Sequence, residues 1–172
     1  MITIRSEKKE DAEAIHEVNQ MAFGQEDESL LIHRIRNSPR FIPDLSLVVV
    51  KKGEIVGHIL FSSVSIETKQ GDIPALSLAP MAVLPAFQNQ GIGSELAREG
   101  LARCRRLGHK IVAVIGHPDY YPRFGFIPAR PAGLEVAFPV PDEAFMVHEL
   151  VPQALEGIKG MVKYPPEFDD TT

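Results

Sequence analysis

The sequence predicts a single mixed α/β domain, and three observations carry that prediction. Mid-chain, β-branched-rich runs are joined by short turns containing glycine, the signal of an antiparallel meander. Two segments of helical periodicity precede the meander. A third helical segment and a continuous apolar run follow it, so helices and strands share one mixed architecture. At 172 residues, 44% of them hydrophobic and 24% charged, the chain is long enough for one proper core.

Each element has its own reason. Ile2 and Ile4 alternate with polar neighbours, as in a half-buried strand. From about Glu10, the residues Ile15, Val18 and Ala22 share a helical face, and Glu10 and Asp11 suit the positive end of the helix dipole. Leu30, Leu31 and Ile35 predict a second helix, stopped near Ser38-Pro39 because proline lacks a donor and disfavours helix before it. Leu45 to Lys51 is a strand, Lys52-Gly53 turns it into Glu54 to Ser65, and Gly71-Asp72 turns again into Ile73 to Val83. Ile92, Leu96, Gly100, Leu101, Cys104 and Leu107 then recur near helical spacing, closed by Gly108. Lys110 to Ile115 is apolar enough to be buried on both faces. A short fourth helix is expected over Pro118 to Phe124, and Phe126-Ile127 and Phe145 to Leu150 are the last strand candidates. The expected order is β-α-α-β-β-β-α-β-α-β-β, a central mixed sheet of about seven strands flanked by about four helices. It occupies residues 1–164, and the acidic tail 165–172 is expected to fray.

Composition excludes several function classes. A net charge of -5 argues against a chain-wide nucleic-acid surface. Cys104 stands alone, so no intramolecular disulfide and no cysteine zinc cage can form, and the six histidines lack metal-ligand spacing. No run approaches a membrane span, and Met1 to Glu7 lacks the basic-then-apolar pattern of a signal peptide. The expectation is a cytoplasmic domain, monomeric or homodimeric, that uses neither metal, nucleic acid nor membrane.

The segment Gln88-Asn89-Gln90-Gly91-Ile92-Gly93 separates a strand from a helix. Glycines there let a ligand approach the backbone, and the first helix amides lack intrahelical acceptors, which suits a phosphate or pyrophosphate. The plainer reading, a tight strand-to-helix bend, is equally open on two glycines alone. A P-loop needs Lys-Ser or Lys-Thr after the second glycine, whereas Ser94-Glu95 follows Gly93. A dinucleotide fingerprint needs a third glycine where Leu96 stands, and a βαβ unit where the meander stands.

With Gln88-Asn89-Gln90-Gly91-Ile92-Gly93 upstream and Tyr121-Pro122-Arg123-Phe124-Gly125-Phe126 downstream, the sequence resembles the GNAT acetyltransferases over nearly its whole length. The Tyr-Tyr-x-Arg-Phe-Gly-Phe phrasing resembles a bacterial group of predicted N-acetyltransferases within them. The resemblance implies acetyl-CoA as co-substrate, with its pyrophosphate on the backbone amides of Gln88, Asn89, Gln90, Gly91, Ile92, Gly93 and Ser94. It implies that Met81, Ala82 and Val83 offer main-chain groups to the pantetheine arm. Phe124 is a further candidate cofactor contact, and His117 is either another or an exposed loop histidine. Pro80 supports this independently, since it cannot donate to a ladder and should break or bulge the strand there.

The chemistry implied is attack of an amine on the thioester, with Tyr121 as general acid. A phenol, with a reference pKa near 10, is protonated at neutral pH and can serve a thiolate whose reference is near 8.5. The sequence departs from the family in having Gly116-His117-Pro118-Asp119 where many members carry an asparagine. It names no general base either: His58, His148, Glu149 and the group Glu26-Asp27-Glu28 are open, as is a water chain. Cys104 reads as a small core filler. Arg98, Arg103, Arg105 and Arg106 read as a solvated helix face or as attraction for the nucleotide 3′-phosphate. A non-catalytic CoA-binding or regulatory module is the alternative to an enzyme, and the acceptor amine is left unidentified.

Overall fold

The structure, a computed structural model, describes residues 1–169. Its elements run β1 (Ile2–Ser6), α1 (Ala12–Phe23), α2 (Asp27–Arg36), β2 (Phe41–Lys51), β3 (Glu54–Thr68), β4 (Gly71–Val83) and α3 (Ile92–Arg106). Then follow β5 (Ile111–Ile115), β6 (Ile127–Pro128), β7 (Leu134–Val136), β8 (Phe145–Glu149) and β9 (Gly160–Lys163). All strands join one sheet in the order β1-β2-β3-β4-β5-β8-β6, with β9 on β3 and β7 on β9. The meander β2-β3-β4 is antiparallel as expected, and β5 lies parallel to β4 after the α3 crossover.

Two counts differ from expectation. The sheet has nine strands, because β7 and β9 are too short for any period to show. The described residues hold three α-helices, because the expected helix over Pro118 to Phe124 is a single 3-10 turn, Tyr121–Phe124. Pro122 withholds a donor inside that turn, and Gly125 at φ 103 ends it in the left-handed region. At the tail, Pro166–Phe168 form another 3-10 turn and Phe168 packs on Tyr164 at 5.0 Å. The remaining tail residues, 170–172, lie outside the described residues.

Alternation along the strands sends side chains to two faces. Leu47, Val49, Ile59 and Phe61 pack with Leu96, Leu101 and Cys104 of α3. Val48 and Leu60, one residue out of phase, pack with Ile15 of α1 and Leu31, Ile32 and Ile35 of α2. Helix α3 thus covers one face and α1 with α2 the other. Cys104 is wholly buried and burial pushes its thiol up to about 12, which suits a core filler and not a nucleophile.

A side-chain relay fastens α1 and α2 to their face. Arg36 grips the Glu7 carboxylate at 3.0 and 3.1 Å, and the Ser46 hydroxyl donates to the same carboxylate. His58 Nε2 lies 3.1 Å from Ser46 Oγ, and its Nδ1 lies 3.3 Å from Asn19 Nδ2. Since the Asn19 amide nitrogen donates, Nδ1 accepts and Nε2 carries the proton. Burial first, then the nearby Arg36 charge, lowers His58 to about 3, so the ring is neutral in the fold.

Candidate active site

The sheet opens where β4 and β5 part. Their parallel pairing consists of Leu76 with Val112 and Ser77 with Ala113, and β4 runs on to Val83 without it. On its other edge β4 shifts register against β3 between the pairs Phe61–Leu78 and Ile59–Met81. Leu60 therefore faces the two residues Ala79 and Pro80, the bulge that a mid-strand proline predicts. The gap is a cleft of about 1010 Å³, walled by Leu78 to Val83 on one side and by Ile115, Gly116 and His117 on the other.

At the α3 end the cleft meets the glycine turn. Gln88, Asn89, Gly91, Gly93 and Ser94 line it. Gln88 Nε2 donates to the Val83 carbonyl at 3.0 Å, so this side chain ties the turn to the end of β4. Gly91 caps α3 at φ 82 with no side-chain cap bond, which leaves the first helix amides without a side-chain acceptor. The two glycines do different jobs. A Cβ on Gly91 would meet nothing, so that position needs the left-handed conformation. A Cβ on Gly93 would lie 3.0 Å from the Tyr120 hydroxyl, so that position needs space. Ile92 points into the core at 4% exposure, and Gln90 reaches back to the Ala86 carbonyl at 3.4 Å. Neither side chain lines the cleft.

The loop after β5 brings both tyrosines to the cleft. The His117 carbonyl accepts the amides of Tyr120 and Tyr121 at 3.1 and 3.4 Å and so starts their turn. His117 itself is exposed on the cleft wall. The Tyr121 ring lies against Gly116, where a Cβ would stand 2.5 Å from a ring carbon. It meets Tyr120 edge-on at 5.2 Å and Phe126 at 5.6 Å. Burial, then the neighbouring Tyr120, pushes its phenol up to about 12. Arg123 stacks over Tyr120 at 4.6 Å and also lines the cleft. Phe124 stands behind the tyrosines, edge-on to Tyr120 at 5.2 Å with Arg98 over its ring at 5.2 Å, and is not part of the cleft wall.

Of the open base positions, only Glu28 lines the cleft. His58 is sealed in the relay, His148 Nδ1 donates to the Gly125 carbonyl at 3.0 Å, and Glu149 accepts the Leu155 amide at 3.1 Å. The α3 arginines are structural ties. Arg103 reaches Glu99, Ser6 and the Ile4 carbonyl, Arg105 donates to the Leu150 carbonyl at 2.8 Å, and Arg106 meets Glu99 at 3.2 Å. Phe23, Leu31, Phe87 and Arg123, all of them on the wall, are not marked as site residues by the sequence. Only Arg123 stood inside a recognisable motif.

Comparison with known proteins fits this geometry. Residues 3–129 match the acetyltransferase (GNAT) domain family. YjhQ of Escherichia coli strain K12, described as an uncharacterized N-acetyltransferase, is 38% identical over 152 residues, 86% of this chain and 83% of its own. The crystal structure of the Escherichia coli GNAT family N-acetyltransferase YhbS, in complex with CoA, superposes with a TM-score of 0.90 at 32% identity, covering 97% of this chain and 91% of that one. A Brucella melitensis GNAT family acetyltransferase in complex with acetyl-CoA gives a TM-score of 0.81 at 31% identity, covering 98% and 99%. The split sheet, the glycine turn and the tyrosine loop therefore belong together for a reason of descent: the chain is a member of the GNAT acetyltransferases.

Proposed function

We propose that the protein is an acetyl-CoA-dependent N-acetyltransferase that moves an acetyl group by direct attack to a primary amine. The observation that carries this reading is the continuity of the cleft, which runs from the uncapped first turn of α3, along the unpaired edge of β4, to Tyr121. The residues fit the co-substrate in kind: free helix amides for a pyrophosphate, and an open strand edge for an amide-bearing arm. When bound, acetyl-CoA supplies an acyl thioester.

The chain's own groups do the rest. Main-chain groups of Met81, Ala82 and Val83 hold the arm and polarise the acyl carbonyl. As the amine nitrogen bonds to the acyl carbon and the carbon–sulfur bond breaks, one proton must leave nitrogen and one must reach sulfur. Tyr121 Oη serves the sulfur. A phenol raised to about 12 does not surrender its proton unaided to a thiolate near 8.5, so Tyr121 shares it through a hydrogen bond and is refilled as the amine loses its own. Gly116 and the His117 carbonyl fix the phenol's position.

Thiol release from acetyl-CoA over a panel of amines, amino acids and N-terminal peptides tests the proposal. One acetylated amine per thiol is the expected result. CoA binding without turnover of any acceptor would contradict it and favour a non-catalytic CoA-binding module.

A further inference from the structure

The cleft passes through the sheet, and its two ends differ in charge. At the α3 end stand the helix amides and Arg123, the latter packed on Tyr120, whose hydroxyl borders Gly93. At the opposite end the wall belongs to α1 and α2, through Phe23, Glu28 and Leu31. Glu28 is the one carboxylate on the cleft wall among the described residues. Both its oxygens face the Gln25 amide nitrogen, at 3.1 and 3.2 Å, which holds the carboxylate in place without neutralising it. No Lys or Arg of the described residues pairs with it. Phe23 and Ile115, exposed at 41% and 37%, are large apolar side chains on the same wall.

Resting on the acetyl-transfer reading above, we infer that Glu28 is a specificity determinant for the acceptor. It recognises a second, cationic group on an amine whose apolar body lies against Phe23 and Leu31. An amine must be neutral to attack, so the positive charge Glu28 attracts is not the one on the reacting nitrogen. A first-turn glutamate also complements the dipole of α2, but that role needs no place on a cleft wall. The class of acceptor is thus a diamine, or an amine beside a basic group, and not an amino acid presented by its carboxylate.

The test titrates a series of α,ω-diamines, from propane to hexane, into the CoA-saturated protein, each paired with the ω-amino alcohol of equal length. The best diamine should bind at least about fivefold tighter in wild type than in Glu28→Gln, the size of one half-exposed ion pair. Its advantage in kcat/KM over the matching amino alcohol should vanish in the variant, and 6-aminohexanoate should be the poorest substrate in wild type. Thermal melts check that Glu28→Gln folds. No diamine binding in wild type, or a preference that survives in the variant, overturns the inference. A uniform fall in kcat for all amines with the preference intact also overturns it, because it would make Glu28 a base. If CoA itself does not bind, the donor reading fails. The diamine titrations on the free protein then still decide the role of Glu28.

Discussion

On the α3 side of the sheet the cleft wall includes the first turn of α3, the glycine turn before it and the edge of β4 beyond Ser77, where unpaired main-chain groups stand beside Tyr120, Tyr121 and Arg123. On the α1–α2 side it is walled by side chains, Phe23, Glu28 and Leu31, carried on helices that a buried relay fastens to the sheet. The difference sets what each side can recognise. Backbone amides and carbonyls recognise groups common to every CoA thioester and tolerate many side chains around them. Side chains at the other mouth can be exchanged one at a time, which suits the proposed acceptor end.

The largest expected effect strikes the main-chain side. Gly93→Val should weaken CoA binding by at least about 100-fold, roughly 2.7 kcal/mol, by calorimetry. The double variant with Tyr120→Ala removes the hydroxyl that a new Cβ would crowd. Binding should stay lost, and full recovery would show that Gly93 serves only the packing of Tyr120. Next, Tyr121→Phe should lower kcat by about 100-fold while leaving the CoA dissociation constant within about twofold, because the proposed general acid acts in the transition state. Since burial pushes the phenol up to about 12, the acid stays protonated below that value, and wild-type kcat should show no falling limb up to about pH 10.

A third effect separates the two sides by pH. His58 titrates near 6.5 unfolded and at about 3 in the fold. Between those values the unfolded chain binds a proton that the folded chain does not, so stability falls as pH falls through that window. The slope approaches about 1.4 kcal/mol per pH unit below pH 6, a loss of about 1.6 kcal/mol between pH 6.5 and pH 5. Denaturant unfolding should show this loss, and His58→Gln should flatten it. An unchanged slope would remove the relay as the acid-sensitive fastening of the α1–α2 side. The smallest effect is the most diagnostic of main-chain recognition. Gln90→Ala should change CoA affinity by no more than about twofold, because that side chain bonds to Ala86 and not to the cleft.

The same contrast explains what was legible in the sequence. Main-chain sites need residues with special backbone properties, and Pro80, Gly91 and Gly93 stand out in a bare string for that reason. The tyrosine loop was legible through its fixed spacing to Gly125-Phe126, although the helix expected around it proved to be one 3-10 turn. The acceptor side left no such trace. Glu28 was one of three acidic neighbours, and nothing local distinguishes it from Glu26, which lies 4.0 Å from His16. Its place on the cleft wall depends on how α2 packs on β2 and β3, a long-range fact with no spacing of its own. The setting of His58 was hidden likewise, because its partners Asn19 and Ser46, and Glu7 beyond Ser46, come from three separate segments. Strands β7 and β9 escaped because strands of three and four residues carry no period.

The proposed donor site is main chain at the α3 end and along β4. Amide chemical shifts recorded during a CoA titration test it most directly. The amides of Met81, Ala82, Val83, Gly91, Ile92, Gly93 and Ser94 should shift together to saturation, while those around Glu28 move little until an amine is added. Unmoved amides in the glycine turn, with shifts gathered instead in the groove beside Arg98 and Arg103, would contradict it.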